Sequence, residues 1–361
     1  MSRVTPSYPR AADHKFEQRW QLCLKDYVTA IAWSPDGQHL AASSAQGEVV
    51  LGHPANPPHG CSEHPEGLGI NDLAFSTDSQ FLAAVGQSGR LEVWSSTEQT
   101  QVLSQQLAPV WLDVLAWHPS LPILAVGVGP DIQIWDISRQ VLIQKLNFSR
   151  SSVLALAWHP QGHHLAVSGH GGVSVWSATD WDRAPEFIAV PGASITCGWS
   201  PDGRYLGSGN LDHTLTVVDW GNPPPWFMQG FPGKVRQIAW SDPLTKTGSP
   251  LLAAACMSGI TIWERERNID GVWRNRVLEH HQQTVQAIAF QPQTFTLASA
   301  AQDGKLLLWR QAKAIAQVLS GSAQGWSTVA WSPKGRRLAA GGEAGELVLW
   351  SQRQPGKGFR P

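Results

Sequence analysis

Four side chains in one short loop are the first candidates for chemistry. His53, His59, Cys61 and His64 fall within GHPANPPHGCSEHPEG, residues 52–67. Imidazole nitrogens and a thiolate are donors that zinc accepts, and the neighbouring prolines would hold them in place before an ion arrives. Their spacing matches no standard zinc pattern, and the histidines sit beside prolines in an otherwise polar loop. The loop therefore reads first as a solvated connection and second as a zinc site. A second group, His159, His163, His164 and His170, is split between two turns at opposite ends of a strand, so all four cannot share one ion.

Other catalytic patterns are missing. Gly127-Val128-Gly129 is followed by Pro130 and an apolar strand, not by the helix whose N-terminus would receive a phosphate. The chain has no G-x-x-x-x-G-K, G-x-S-x-G, H-E-x-x-H or C-x-x-C.

Whatever positions these residues is repetitive. An aromatic after a small residue recurs at Trp33, Phe75, Trp117, Trp158, Trp199, Trp240, Phe290 and Trp331, at intervals of 42, 42, 41, 41, 41, 50 and 41. A second anchor follows 18 or 19 residues later in seven units and 23 later in one: Gly52, Trp94, Trp135, Trp176, Val218, Trp263, Trp309 and Trp350. A period near 41 ending in tryptophan is the sequence mark of propeller blades.

Each unit has the same grammar. A run such as VLALAW (153–158) is apolar on both strand faces, as a buried inner strand requires. A turn follows, as in Ser34-Pro35-Asp36-Gly37 or His159-Pro160-Gln161-Gly162, where Pro presets a negative φ and Gly accepts a positive one. A small-residue strand comes next, then an alternating one such as GVSVW (172–176). The segment before the next unit supplies a fourth strand.

The predicted fold is all-β: one closed β-propeller of four-stranded antiparallel blades. Eight anchors give eight blades; seven is the alternative, with the first unit outside the ring. Residues 1–15 read as an extension, 16–350 as the propeller and 351–361 as a tail. The segment FEQRWQLCL (16–24) has no unit of its own and is predicted to clasp the last blade as its outer strand, which removes exposed edges.

These residues resemble the WD-repeat β-propeller family, in its bacterial form, over nearly the whole chain. The Trp-Asp pair survives as Trp135-Asp136, and Val218-Asp219 keeps only the Asp. The resemblance implies a hydrogen-bonded tetrad in one unit, formed by His281, Ser299, Asp303 and Trp309. On paper its Ser, His and Asp mimic a nucleophilic triad, but packed inside a blade they form a structural network.

Recognition would then fall where inner strands begin. Six residues before each first anchor stand Tyr27, Gly69, Trp111, Ser152, Ala193, Lys234, Thr284 and Gly325. Tyr27, Trp111 and Lys234, with Arg236 and Trp326, would place aromatic and cationic groups on one rim, the types enriched in interface hot spots. Trp226 and Phe227, after three prolines, form a second candidate in a loop. A charged segment, 264–276, reads as a long hairpin turning at Asp270-Gly271.

Composition sets the remaining bounds. With 27 basic and 28 acidic residues, the chain lacks the charge excess of a nucleic-acid-coating protein. Four scattered cysteines form no disulfide framework, and no apolar run is long enough to cross a bilayer. These features predict a cytoplasmic protein, monomeric on its own, that binds proteins and not nucleic acid or membrane. The leading function is a non-enzymatic interaction scaffold without a cofactor. A zinc-holding propeller is the alternative, and an enzyme with a site at the channel mouth comes last.

Overall fold

The computed structural model describes residues 15–63, 67–222, 224–266 and 272–353. Every regular element in it is a β-strand. The eight inner strands each end at or beyond their first anchor: Val28–Trp33, Ile70–Phe75, Leu115–Trp117, Ala155–Trp158, Glu186–Trp199, Gln237–Leu244, Val285–Phe290 and Trp326–Trp331. Each packs on the inner strand of the next unit, and Trp326–Trp331 packs on Val28–Trp33, so the eight close a circle.

The strands behind them explain the small residues. Leu40–Ser44, Leu297–Ala301 and Pro250–Cys256 are buried along their whole length, with Ala41, Ala253 and Ala298 fully covered. Both faces of such a strand meet a neighbouring sheet, so polar alternation disappears and small side chains set the spacing. The second-anchor tryptophans Trp94, Trp176, Trp309 and Trp350 fill the gaps between sheets and are nearly inaccessible. Burying each indole removes about 150–250 Å² from water.

The hydrogen-bonded sheets number seven, the alternative count, and not eight. Six have four strands and one has six. Seven does not arise because the first unit leaves the ring: Val28–Trp33, Leu40–Ser44, Glu48–Gly52 and His59–Glu63 form an ordinary four-stranded sheet. It arises at one joint between units four and five. Glu186–Trp199 first pairs with His164–Ser177, as outer strand, up to Ala193 opposite His170. From Ser194 opposite Asn210 it pairs with Tyr205–Asn210, as inner strand. The change of partner follows Pro191-Gly192, where the missing proline N–H interrupts the ladder.

The ends of the chain meet in one sheet. Phe16–Cys23 is antiparallel to Glu346–Gln352, with Phe16 opposite Gln352 and Cys23 opposite Glu346. Phe16 sets its ring edge-on to Trp331 at 5.3 Å. Its N–H donates to Gln317 Oε1, and its carbonyl accepts from Gln317 Nε2, both at 2.8 Å.

Gly52 stands where other units carry tryptophan because the space is occupied. A Cβ there would lie 2.7 Å from Pro58 Cα. The 53–58 connection folds back onto the strand, and Trp20 of the N-terminal strand donates its indole N–H to Pro54 O at 3.1 Å.

Candidate functional site

Antiparallel order fixes which loops share a face. The entry to each inner strand lies beside the turn joining the second and third strands, at the end opposite the Pro-Gly turns. Backbone bonds tie this entry face together from unit to unit: Leu112 N–H to Gly86 O, Val153 N–H to Gly129 O, Val235 N–H to Asn210 O and Val285 N–H to Met257 O.

Among the described residues, five large apolar side chains stand exposed on the entry face, all in units three to six. Trp111 is 62% exposed, and Val110 precedes it. Leu154 follows in unit four, Leu211 in unit five and Met257 in unit six. Met257 lies close over Gly233, beside Lys234. Arg236 is exposed and Lys234 half-buried on the same entry segment. Single exposed apolar residues are common on protein surfaces; these five fall on one face of four consecutive units.

The predicted rim residues divide. Trp111, Lys234 and Arg236 belong to this arc. Tyr27 lies on the same face in unit one, half-buried; burial raises its phenol pKa, helped by the nearby Glu343 carboxylate. Trp326 is a correction. It is fully buried, donates its indole N–H to Gly304 O at 2.9 Å, and packs edge-on against Trp350 at 5.6 Å. The register explains it: five residues before the first anchor, Val28, Ile70, Leu112, Val153, Val235 and Val285 are all buried between sheets, and Trp326 holds that position. The exposed Leu154, Leu211 and Met257 escaped sequence reasoning because nothing in a buried-looking apolar strand end or turn marks them as uncovered.

Trp226 and Phe227 form a short strand, Trp226–Met228, and point to opposite sides. Trp226 packs edge-on against Trp273 at 5.9 Å beneath the Arg265 guanidinium, whereas Phe227 is exposed. The turn at Asp270-Gly271 lies outside the described residues.

The four tetrad residues are in hydrogen-bonding contact. His281 Nε2 meets Ser299 Oγ at 2.8 Å, and Nδ1 meets Asp303 at 3.2 Å. Trp309 Nε1 donates to Ser299 Oγ at 2.8 Å. Asp303 also accepts the Gln282 and Lys305 N–H groups at 2.9 and 3.0 Å. Burial alone would raise the Asp303 pKa, but these donors and His281 outweigh it and hold it low. Burial likewise lowers the His281 pKa despite Asp303. The His281 and Asp303 side chains are only 1% and 4% exposed, so no substrate reaches this imidazole. Asp72, pushed up to about 6 by burial, is also engaged, accepting the Leu115 N–H at 3.0 Å.

The described zinc-loop donors, His53, His59 and Cys61, do not gather into a metal-holding group. His53 is exposed and hydrogen-bonds Gln38 and the Ala55 N–H; His59 is exposed on the outer strand. Cys61 packs on the core cluster around Leu51 and Trp94, and burial pushes its thiol up to about 12, against the thiolate a metal needs. His64 lies outside the described residues. Among the described residues no three His, Cys, Asp or Glu side chains gather. In the second group, His159 is a turn element, its Nε2 at 3.0 Å from Gly203 O and its ring edge-on to Trp199. His118 repeats this on Gly162 O and Trp158.

Comparison with known proteins follows this geometry. The family model described as WD domain, G-beta repeat matches residues 20–51, 56–95, 140–177, 273–310 and 314–351, just over half of the chain. The chain belongs to the WD-repeat family. The matched WD segments are offset from the sheets by one strand: residues 20–51 begin in the N-terminal strand that clasps the last sheet, and 56–95 begin in the outer strand of unit one. The chain is also similar to the protein transport protein SEC13 of Pyricularia oryzae, 25% identical over 130 residues. That match covers 34% of this chain and 45% of the relative's length, so the chain spans less than half of it.

Proposed function

We propose that this WD-repeat protein is a non-enzymatic interaction scaffold whose partner-facing surface is the entry face of units three to six. One observation carries the reading: Trp111, with Val110, Leu154, Leu211 and Met257, leaves apolar surface uncovered on one face of a rigid ring. Arg236 and Lys234 beside them supply the charged edge that surrounds such patches. The nearest thing to a nucleophilic triad is sealed inside a blade, which argues against chemistry. The relative is named a protein transport protein.

The finer parts of the reading are proposals too. We count the joined six-stranded sheet as two blades, giving eight around the ring; the circle of eight inner strands supports this. The 16–350 region is taken as one propeller that is monomeric alone. Four cysteines without a disulfide fit a reducing, cytoplasmic setting, and among the described residues no helix is long and apolar enough to cross a membrane. Proteins, and not nucleic acid, are the expected partners.

Affinity capture with the full chain tests the scaffold. A defined partner should copurify with the native protein and be lost on Trp111→Ser or Met257→Ser, with the melting curve unchanged. Retention by both variants would overturn the assigned face.

A further inference from the structure

A cleft lies on the opposite face, at the seam where the first and last units meet, with a volume of about 720 Å³. Its walls carry Arg19 from the clasping strand, Lys334, Arg336 and Arg337 from the unit-eight turn, and Arg353 from the chain's end. The lining holds one carboxylate, Asp36. That carboxylate is committed within its own turn, accepting from Ser34 Oγ at 2.6 Å and Gln38 N–H at 2.9 Å.

Some cations elsewhere on the ring have carboxylate partners: Lys145 has Asp131, Arg204 has Asp219 and Arg276 has Glu264. Among the described residues no carboxylate pairs with Lys334, Arg336 or Arg337, and Arg353 meets only the exposed Glu17 at 3.5 Å. In a chain of net charge −1, this is a local concentration of positive charge, although Arg19 also donates to Ser351. Like charges gathered in a cleft repel one another and raise the local concentration of anions.

The chemistry of the walls narrows the ligand. Backbone N–H groups that would cradle a single phosphate are spent, Gly37 on Ser34 O and Gly335 on Ser332 O, both at 2.8 Å. The lining has no Trp, Tyr or Phe on which a nucleobase would stack, and its one ring, His53, is held by Gln38 and the Ala55 N–H. What remains is a set of guanidinium forks on three separate segments, suited to carboxylates spaced along a chain.

We propose that the seam cleft binds an acidic, Asp- and Glu-rich segment of a partner protein. The proposal rests on the scaffold reading and adds a second, electrostatic contact on the face away from Trp111. One ring would thereby hold apolar surface on one side and an acidic segment on the other.

The test uses the full chain and a fluorescein-labelled octaglutamate peptide followed by fluorescence anisotropy. Saturable binding is expected at about 50 mM salt, weakening about tenfold by about 300 mM as the charges are screened. Lys334→Glu with Arg336→Glu should weaken it by about tenfold or more, both side chains being exposed and outside the core. Arg183→Glu with Lys313→Glu makes the same change of charge on remote exposed positions and should leave binding unchanged. Absence of saturable binding, or equal binding by the seam variant, would overturn the proposal. So would tight binding of inositol hexakisphosphate with none of the peptide, which would assign the cleft to phosphate. Trp111→Ser should not alter peptide binding. Failure of the peptide with partner capture intact therefore sinks the cleft alone, and loss of the entry-face assignment with peptide binding intact leaves the cleft standing.

Discussion

Trp33 donates its indole N–H to the carbonyl of Ala330 at 3.1 Å, joining the first repeat unit to the last across 297 residues. The same bond recurs around the ring: Trp117 to Ala74, Trp158 to Ala116, Trp199 to Ala157, Trp240 to Gly198 and Trp331 to Ala289, at 2.9–3.2 Å. Each acceptor is the residue just before the preceding unit's own anchor. The first-anchor tryptophan is thus a stitch between neighbours as well as a packing element, and Phe75 and Phe290 fill the site without the stitch.

Trp158→Phe should therefore cost about 1 kcal/mol, the net worth of one hydrogen bond, whereas Trp158→Ala should cost about 3–5 kcal/mol by leaving a cavity as well. Urea unfolding of both variants checks the split. A loss near zero in Trp158→Phe would show that the indole N–H contributes nothing.

The clasp predicts a strong dependence of stability on the chain's first strand. Deleting the residues before Asp26 removes the outer strand of the last sheet, the Phe16–Trp331 contact and both Gln317 bonds. The melting temperature should fall sharply. Phe16→Ala alone should cost about 3 kcal/mol. An unchanged melt of the truncated chain would contradict the clasp.

The tetrad should matter for stability alone. Ser299→Ala leaves Trp309 Nε1 and His281 Nε2 buried without their partner, at a cost of about 1–3 kcal/mol. A loss near zero in urea unfolding would mean that water replaces the hydroxyl.

Acid sensitivity should track the turn histidines. Burial lowers the pKa of His118 and His159, so the folded state holds them neutral. The unfolded chain, with histidines near about 6.5, then binds protons first. Stability is full above that value and declines as pH falls through it, until the folded groups titrate as well. At the same turn position Gln291 makes the equivalent bond, to Gly335 O at 2.7 Å, without a titrating group. Replacing His118 and His159 with Gln should flatten the loss of melting temperature between about pH 7 and pH 5. An unchanged slope would place the acid response elsewhere.

Much of this was legible in the sequence because repeats repeat their physics. Two anchors per unit place every inner and third strand, and a lone N-terminal strand next to a tail without one implies where the ring closes. The sheet count was not legible: Pro191-Gly192 reads as a loop between units, and only the register shows His170 bridging to Ala193 and joining two sheets. Trp326 was misplaced because Gly325, at φ +111°, and the following residue look interchangeable until alternation is counted from the anchor, which turns Trp326 inward. The zinc-type loop has suitable donors by type, but Cys61 is an extra residue in an irregular strand pairing and packs on the core, a direction that composition does not encode. Exposure of Leu154, Leu211 and Met257 depends on what neighbouring units leave uncovered, and a linear pattern cannot show it.

The central claim is that partners meet the entry face of units three to six. Hydrogen exchange of the full chain, measured with and without its captured partner, tests it most directly. Protection is predicted over the 107–114 segment and the turns at Leu211 and Met257, with the outer strands of units seven and eight unaffected. Protection confined to those outer strands, with the Trp111 segment exchanging as in the unbound protein, would contradict it.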